Sequence, residues 1–416
     1  MPSMGAGSND TCRPDGTCGL WKLDRYELAG SFGDLGTLLP LAIGMILLCG
    51  LDATAVFVTV GAFYLLCGLY FRTTVPVQPM KVIGAYAIAQ GLSPATISLA
   101  GLWMAAILLV LALSGAITLV GRVVPRPTVR GVQLTTGVLL FVQGIRFIAG
   151  TSSLQQAQGR PEPFLAVQSL GPVPIGLVLG VAAVILILLL LDNRRVPAAL
   201  AVLMLGVAAG LALGGWRGLA GFDVGLHHPR PLPYGLPDWD VWVLALTALA
   251  LPQAPMTVGN AVIAQADLTR SYFGPVVARR MTFRALAASM GLANLAVAAF
   301  GGMPLCHGAG GLAAHYRFGA RTLTSNLMIG SIFLLLGVLV GDRTVALLGL
   351  VPLSVLGALL VFAGAQLALM ILDVDDRGDL FVVISMLAVS LVSNLAVGFA
   401  VGILLAYLFR MTRLKV

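Results

Sequence analysis

The sequence predicts an all-α polytopic membrane protein with fourteen spans, arranged as two inverted repeats of seven. Three observations predict this fold class: the apolar composition, the distribution of basic residues between apolar segments, and two matched breaks rich in glycine and proline. Pro79 and Pro304 mark the breaks and lie 225 residues apart, a little over half the chain. Each break is predicted to be a short extended segment leading into a half-helix, in span 3 and in span 10.

The composition is that of a membrane protein. Hydrophobic residues make up 58% of the 416 residues, charged residues make up 10%, and the mean hydropathy is +0.97. A soluble core cannot hide that much apolar surface, so the chain needs a lipid bilayer around it. The net charge is +8, but the basic residues fall in short runs between apolar segments, as orientation signals do. No nucleic-acid partner is predicted.

Residues 1–27 are predicted to form a cytoplasmic tail. The first twenty are polar and rich in glycine, and they lack the basic start and apolar core of a cleavable signal. Cys12 and Cys18 lie in this tail. Two free thiols are favoured over a disulfide or half of a metal site, because no partner ligands lie nearby. No metal and no cofactor are predicted for the chain.

The spans are predicted from a length of about 20 apolar residues, shortened where a segment is broken. Residues 28–214 form the first repeat and residues 241–416 the second, with a polar, proline-rich extracytoplasmic loop at 215–240 between them. The fourteen segments cover residues 28–49, 53–71, 75–90, 95–121, 127–148, 174–191, 196–214, 241–264, 283–299, 301–316, 322–340, 344–370, 380–394 and 396–410.

The basic residues predict the orientation. With the N-terminus in the cytoplasm, 19 of the 25 lysines and arginines fall on the cytoplasmic side, five fall outside and Lys81 falls within a span. This asymmetry predicts that both termini are cytoplasmic, in a plasma or inner membrane. Because seven spans per half is an odd number, the second half must enter the membrane from the opposite face.

The two breaks predict a binding site for an anion. Proline suits the first turn of a helix, so the half-helices are predicted to begin at Pro79 and Pro304 and to face each other across the membrane centre. Each helix N-terminus presents unpaired N–H groups and about half a positive charge. Gln78, Cys306 and His307 are predicted to tune selectivity from the rim. The predicted substrate-binding residues at the breaks are Gln78, Pro79, Met80, Lys81, Pro304, Leu305, Cys306, His307 and Gly308.

Glycines have two interpretations here. Gly308, Gly310 and Gly311 let the backbone approach a ligand closely, but small residues also pack membrane helices against one another. Both interpretations stay open from the sequence.

Asp34 and Lys81 are the ionisable groups predicted to lie well inside spans, where a charge is costly and is presumed functional. The cost of a bare carboxylate in hydrocarbon favours its protonated form, which predicts that Asp34 carries a proton. The alternatives are that Asp34 caps the helix from Leu35 onward, or forms a fixed ion pair with Lys81. Lys81 either neutralises a bound dianion or extends its side chain towards the membrane surface.

The eighth span carries the counterpart of the Asp34 region. Gln253, Thr257 and Asn260 are neutral donors at the position where the first half has a carboxylate. Gln253 and Thr257 are therefore predicted to bind substrate, in a site that is polar but asymmetric. Kinking of the helix by Pro252 and Pro255 is the alternative reason for this composition.

Four motifs resemble the molybdate-transporter branch related to the sulfate permease (SulP) superfamily. They are ELAGSFGDLGTLLP from Glu27, VPVQPMK from Val75, PQAPMTVGN from Pro252, and GMPLCHGAGG from Gly302 followed by HYRFGART from His315. The resemblance runs in order over nearly the whole chain, from about residue 28 to about residue 410.

The resemblance implies the seven-plus-seven fold shared with uracil permease. A core domain (spans 1–4 and 8–11) then moves against a gate domain (spans 5–7 and 12–14), in a homodimer. It also implies proton-coupled, high-affinity uptake of molybdate, with sulfate as a relative or competitor. The chain ends at Val416, just after the last predicted span. The cytoplasmic STAS domain of typical sulfate permeases is therefore expected to be missing, as it is in the molybdate branch.

Other functions receive less support. A nucleobase:proton symporter of the same fold is expected to place a carboxylate in the eighth or tenth span, and residues 241–262 and 301–316 contain none. An enzyme needs a convergent nucleophile and base or a set of metal ligands. Beside Cys306 and His307 the same half supplies no second histidine or carboxylate to the pocket, so no enzyme is predicted. A passive anion channel stays an alternative to the transporter.

Overall fold

The computed structural model describes residues 21–117, 123–191, 193, 196–219, 224–235 and 237–412. The two tail cysteines, Cys12 and Cys18, lie outside these ranges. So do several basic residues that entered the orientation argument: Arg13, Arg122, Arg194, Arg195, Arg413 and Lys415.

The first half consists of helices and three two-residue strands. Its elements are α1 (Arg25–Ser31), α2 (Leu35–Cys49), α3 (Ala53–Phe71), β1 (Gln78–Pro79), α4 (Lys81–Gln90), α5 (Pro94–Ser114), α6 (Arg126–Ala149), α7 (Ser153–Gln158), the hairpin of β2 (Ser169–Leu170) and β3 (Val173–Pro174), α8 (Ile175–Leu190) and α9 (Ala198–Ala212).

The second half also contains one short strand followed by a short helix. Its elements are α10 (Trp239–Ala278), α11 (Phe283–Phe300), β4 (Leu305–Cys306), α12 (Ala309–Phe318), α13 (Leu323–Leu335), α14 (Thr344–Leu348), α15 (Leu353–Ala368), α16 (Arg377–Val392) and α17 (Leu395–Thr412).

The described chain is a predominantly helical membrane protein. Seven of its helices are long and apolar enough to cross a bilayer, and α1 and α2 together make an eighth, bent by 42° at the break. Three further apolar helices are shorter: α8, α9 and α17. At ten residues each, α4 and α12 rise about 15 Å, half of a hydrocarbon core of about 30 Å.

Several predicted spans are interrupted helices. The predicted eighth span is part of α10, which contains two π-helical stretches, Ala245–Ala250 and Thr257–Ala264. The predicted twelfth span is two helices, because the chain turns between Leu348 and Leu353. Pro352 explains this break: it lacks an N–H to continue the ladder, and it restricts the residue before it to extended backbone.

Close helix pairs hold the fold together through glycine. On α6 and α15, a Cβ added at Gly144 would lie 2.5 Å from the carbonyl oxygen of Gly357. On α3 and α13, a Cβ at Gly61 would lie 2.7 Å from the carbonyl oxygen of Gly330. Larger side chains at these positions would separate the helices and lose the dispersion contacts that drive helix association in lipid.

Candidate functional site

The two extended segments pair with each other. β1 and β4 form a two-stranded antiparallel sheet in which Gln78 lies opposite Cys306 and Pro79 opposite Leu305. The Met80 amide donates to the carbonyl of Pro304 at 2.9 Å. This pairing gives irregular backbone in an apolar interior the partners that it needs. It also brings together the two breaks, 225 residues apart in sequence.

Two asparagines anchor these segments to the helices behind them. Asn326 on α13 accepts from the Val75 amide at 2.8 Å and donates to the Val75 carbonyl at 2.8 Å. Asn294 on α11 does the same for Leu305, at 2.9 and 2.7 Å. Each amide side chain therefore acts as a short piece of β-ladder. Neither asparagine is among the site residues that the sequence predicted.

The predicted starts of the half-helices were wrong. α4 begins at Lys81 and α12 at Ala309, two and five residues after Pro79 and Pro304. Both prolines lie instead in the extended segments. The physical reason is the pairing of β1 with β4: carbonyls that would have begun a helix accept from the opposite segment, and proline suits a strand that needs no N–H at that position.

The N-terminus of α4 is capped by the second half of the protein. The side-chain oxygen of Gln253 accepts from the amides of Val82 at 2.8 Å and Ile83 at 3.4 Å. The amide nitrogen of Gln253 donates to the Thr257 hydroxyl at 2.9 Å. Gln253 thus occupies N–H groups that the sequence assigned to an anion, and Thr257 orients it. The two half-helices are not equivalent in this conformation.

The N-terminus of α12 has no such cap. Gly308 is the N-cap residue and has no side chain to cap the helix, and among the described residues no side chain is hydrogen-bonded to the first amides of α12. Gly310 is exposed, and nothing lies within 4 Å of the position of a Cβ there. The unpaired N–H groups at the start of this helix therefore adjoin open space, which is the geometry of an anion site.

Two buried polar groups adjoin this end of α12. Gln78 is 1% exposed and donates from its side-chain nitrogen to Asp34 at 2.8 Å, while its side-chain oxygen has no partner among the described residues. A Cβ at Gly308 would overlap that oxygen. The structure thus brings Gln78, Asp34 and Gly308 together.

Asp34 lies at the break between α1 and α2. It is 4% exposed, and its side chain makes no capping hydrogen bond to α2. Among the described residues it forms no ion pair within 4.0 Å, and its second carboxylate oxygen, Oδ2, has no hydrogen-bond partner. That oxygen lies 2.5 Å from the position of a Cβ at Gly311. The helix-cap and fixed-ion-pair alternatives for Asp34 therefore do not describe this conformation.

Gly310 and Gly311 differ in their surroundings. A Cβ at Gly311 would also lie 2.7 Å from Pro76, so this glycine serves close packing as well as the approach to Asp34. Gly310 packs against nothing within that range. The packing interpretation left open by the sequence thus applies to one of the two.

The other predicted residues surround this centre. Met80 and Leu305 are fully buried and contribute to the apolar core behind the strands. The Cys306 thiol lies 3.7 Å from the carbonyl oxygen of Pro79. Lys81, in the first turn of α4, is half-buried and makes no ion pair among the described residues.

His307 faces away from the α12 N-terminus. Its Nδ1 lies 2.9 Å from the Pro76 carbonyl oxygen and its Nε2 lies 2.9 Å from the Ser289 hydroxyl. Its ring stacks on Phe63, with centroids 5.0 Å apart. Because a carbonyl only accepts, Nδ1 carries the proton, and Nε2 of the neutral ring is an acceptor that faces the Ser289 hydroxyl. Both ring nitrogens are therefore engaged away from the rim.

Glu27 is a site-supporting residue that the sequence did not single out. Its carboxylate is 1% exposed and accepts from the amides of Arg321 and Thr322, both at 2.9 Å. These contacts fix α1 against the chain that follows α12. They set the position of Asp34, at the end of α1, relative to the start of α12.

Sequence comparisons identify the family. The family described as "Molybdate transporter of MFS superfamily" matches residues 26–140 and 245–367. The chain is 33% identical to molybdate transporter 2 of Arabidopsis thaliana, over 93% of this chain and 88% of that protein. It is 32% identical to molybdate transporter 1 of Chlamydomonas reinhardtii, over 91% and 90%. The chain belongs to the molybdate transporter family. The predicted family is thereby confirmed, as is the prediction that the chain is not an enzyme.

Solved structures establish the fold of this molybdate transporter family member. The transmembrane domain of a cyanobacterium bicarbonate transporter, BicA, superimposes with a TM-score of 0.63 at 17% identity, covering 91% of this chain and 97% of that one. The murine anion transporter Slc26a9 in an inward-facing state superimposes with a TM-score of 0.64 at 14% identity, covering 94% and 70%.

Proposed function

We propose that the chain is a secondary active transporter that imports a tetrahedral oxyanion, with molybdate first and sulfate second, together with protons. One observation carries the proposal. The uncapped N-terminus of α12 adjoins open space beside two buried polar groups, Gln78 and Asp34, and each of these has one oxygen with no hydrogen-bond partner among the described residues.

The α12 N-terminus supplies attraction for an anion without a metal or a cationic side chain. Its free N–H groups carry about half a positive charge and donate directly to oxyanion oxygens. Gly308 and Gly310 leave the backbone accessible to such a ligand, because neither carries a side chain that would cover the N–H groups. The half-buried ammonium group of Lys81 adds a positive charge from the other half-helix.

The carboxylate of Asp34 can couple anion binding to proton binding, because its charge opposes an anion in the site. Two like unit charges 4 Å apart repel by about 4 kcal/mol near a protein surface, so an ionised Asp34 opposes a dianion beside it. Protonation removes that repulsion and lets Oδ2 donate a hydrogen bond. Anion and proton then enter the site together and leave together.

Molybdate is preferred as the substrate because the named relatives are molybdate transporters. Sulfate shares the tetrahedral shape and the charge, so the helix terminus accepts either. The described geometry favours neither of the two by itself.

The proposed transport cycle uses the predicted fourteen-span inverted repeat. A strand followed by a ten-residue helix occurs once in each half, and the two strands pair antiparallel, which supports inversion. The core domain carries both strands and half-helices and moves against the gate domain to alternate access. The proposed assembly is a homodimer in the cell membrane, with both termini cytoplasmic.

Uptake into liposomes tests this proposal. The purified chain is reconstituted, an acidic exterior is imposed, and internal molybdenum is measured by elemental mass spectrometry. Accumulation above the external concentration, abolished by collapsing the pH gradient, is the expected result. Equilibration without accumulation would indicate a passive channel, and no uptake of molybdate or sulfate would contradict the oxyanion site.

A further inference from the structure

A long apolar groove lies between α3 and α11. It encloses about 820 Å³ and is lined along α3 by residues that include Phe63 and Tyr70, and along α11 by residues from Ala285 to Phe300. That stretch of α11 is about 22 Å long, more than the half-thickness of a bilayer, about 15 Å. The groove therefore has the length of one lipid acyl chain.

The groove opens on a surface that lipid would cover. Both flanking helices are among those long and apolar enough to span a membrane. Leu66 is 65% exposed, Leu292 is 61% exposed, and both line the groove. Apolar side chains this exposed on spanning helices face hydrocarbon or another apolar partner.

One end of the groove is strongly basic. The Arg280 guanidinium donates to the carbonyl of Tyr70, a lining residue, at 2.8 Å. Arg72 and Arg279 lie next to the same helix ends, and all three arginines are exposed. Among the described residues none of them forms a salt bridge with a carboxylate. At the opposite end of the groove, Arg230 interacts electrostatically with the Asp52 carboxylate, so its charge is partly balanced.

We propose that this groove binds one anionic phospholipid, with an acyl chain between α3 and α11 and its phosphate on the arginines around Arg280. The charge at one end and the apolar lining along the rest match the two parts of such a lipid. Each arginine near an anionic headgroup strengthens binding by about fivefold. Arginine also suits phosphate through paired N–H donors.

Native mass spectrometry of protein released from nanodiscs tests the proposal. The discs contain phosphatidylglycerol and phosphatidylcholine in equal amounts. Wild-type protein is expected to retain one phosphatidylglycerol preferentially. Arg279→Gln with Arg280→Gln is expected to lower that preference by about fivefold for each arginine removed, while still retaining lipid. Arg377→Gln, at an exposed arginine on α16, is the matched control and keeps the preference.

A second variant tests the groove itself. Ala288→Trp fills it from α11 and is expected to abolish retention of either lipid, with normal thermal stability as evidence of folding. Equal retention in wild type and in Ala288→Trp would overturn the proposal, as would an unchanged preference in the arginine double variant. A change in oligomeric state without a change in retained lipid would also overturn it, because the groove would then be an interface between copies.

Discussion

At the residue scale, the absence of a side chain at Gly308 is expected to keep the N–H groups of α12 accessible to an anion. A Cβ there would overlap the side-chain oxygen of Gln78 and lie 3.4 Å from the Asn260 amide nitrogen. Gly308→Ala is therefore expected to weaken molybdate binding by about tenfold or more, since 1.4 kcal/mol already accounts for that factor. Titration calorimetry on detergent-solubilised protein measures it.

Gly259→Ala is the matched control for that substitution, because nothing lies within 4 Å of the added Cβ. It is expected to bind molybdate like the wild type. Normal affinity in Gly308→Ala would move the anion site away from α12.

Asp34 is the residue on which proton coupling depends. Asp34→Asn keeps the size and keeps an oxygen for Gln78 but cannot exchange a proton at neutral pH. Binding is expected to persist while accumulation driven by a pH gradient is lost. Asp267→Asn, at an exposed position, serves as control. Full pH dependence of uptake in Asp34→Asn would assign the proton to another group.

Residue types at the site were predictable, but side-chain direction was not. The sequence placed Gln78 and His307 together at the rim. In an extended segment neighbouring side chains point to opposite faces, so the strand register decides which of them reaches the pocket. The pairing of Gln78 with Cys306 sets that register, and no local pattern encodes a partner so distant in sequence.

At the element scale, the breaks themselves were predictable from glycine and proline. Their pairing and the later helix starts were not, because proline favours both an extended segment and a first helical turn. The cap that Gln253 provides for α4 could not be predicted either. A glutamine in an apolar helix can bind a ligand or a backbone amide, and the packing of the second half against the first determines which of the two it binds.

The Gln253 cap is expected to stabilise the fold. Gln253→Leu would leave the Val82 and Ile83 amides without that acceptor and is expected to lower the free energy of unfolding by about 1–3 kcal/mol. Gln265→Leu is the control, because both polar atoms of the buried Gln265 side chain lack partners among the described residues. Thermal unfolding in detergent compares the two. Equal stability of both variants would mean that the α4 cap contributes nothing.

Glu162 ties the segment between α7 and β2 to the start of α15. Its carboxylate accepts from the Leu353 amide at 2.8 Å and the Ser354 amide at 2.9 Å. Burial raises its pKa above the ordinary value of 4.5. The folded protein therefore binds this proton more tightly than the unfolded chain does, so the contribution is complete below the unfolded pKa and is lost as pH rises through the folded pKa.

A pH series on Glu162→Gln measures that contribution. The difference in melting temperature between wild type and variant is expected to change across mildly acidic pH, with the wild type losing stability relative to the variant as pH rises. A difference that stays constant from acidic to neutral pH would show that the pKa of Glu162 is the same in the folded protein as in the unfolded chain.

At the scale of the whole molecule, composition was sufficient to predict a helical membrane protein, and the order of motifs was sufficient to predict its family. Seven described helices, or eight with the bent pair, meet the length and hydropathy expected of a span. Packing against other helices, rather than length, sets the position of short or broken segments such as α4 and α12. A count of apolar residues therefore could not predict how deep in the membrane these segments lie.

The measurement that bears most directly on the central proposal is calorimetric titration of the purified protein with molybdate, with sulfate and uracil in parallel, from mildly acidic to mildly basic pH. Molybdate is expected to bind more tightly than sulfate. Its affinity is expected to fall as pH rises, because an ionised Asp34 repels the dianion. Binding of uracil in preference to either oxyanion, or no oxyanion binding at any pH, would contradict an oxyanion site at the N-terminus of α12.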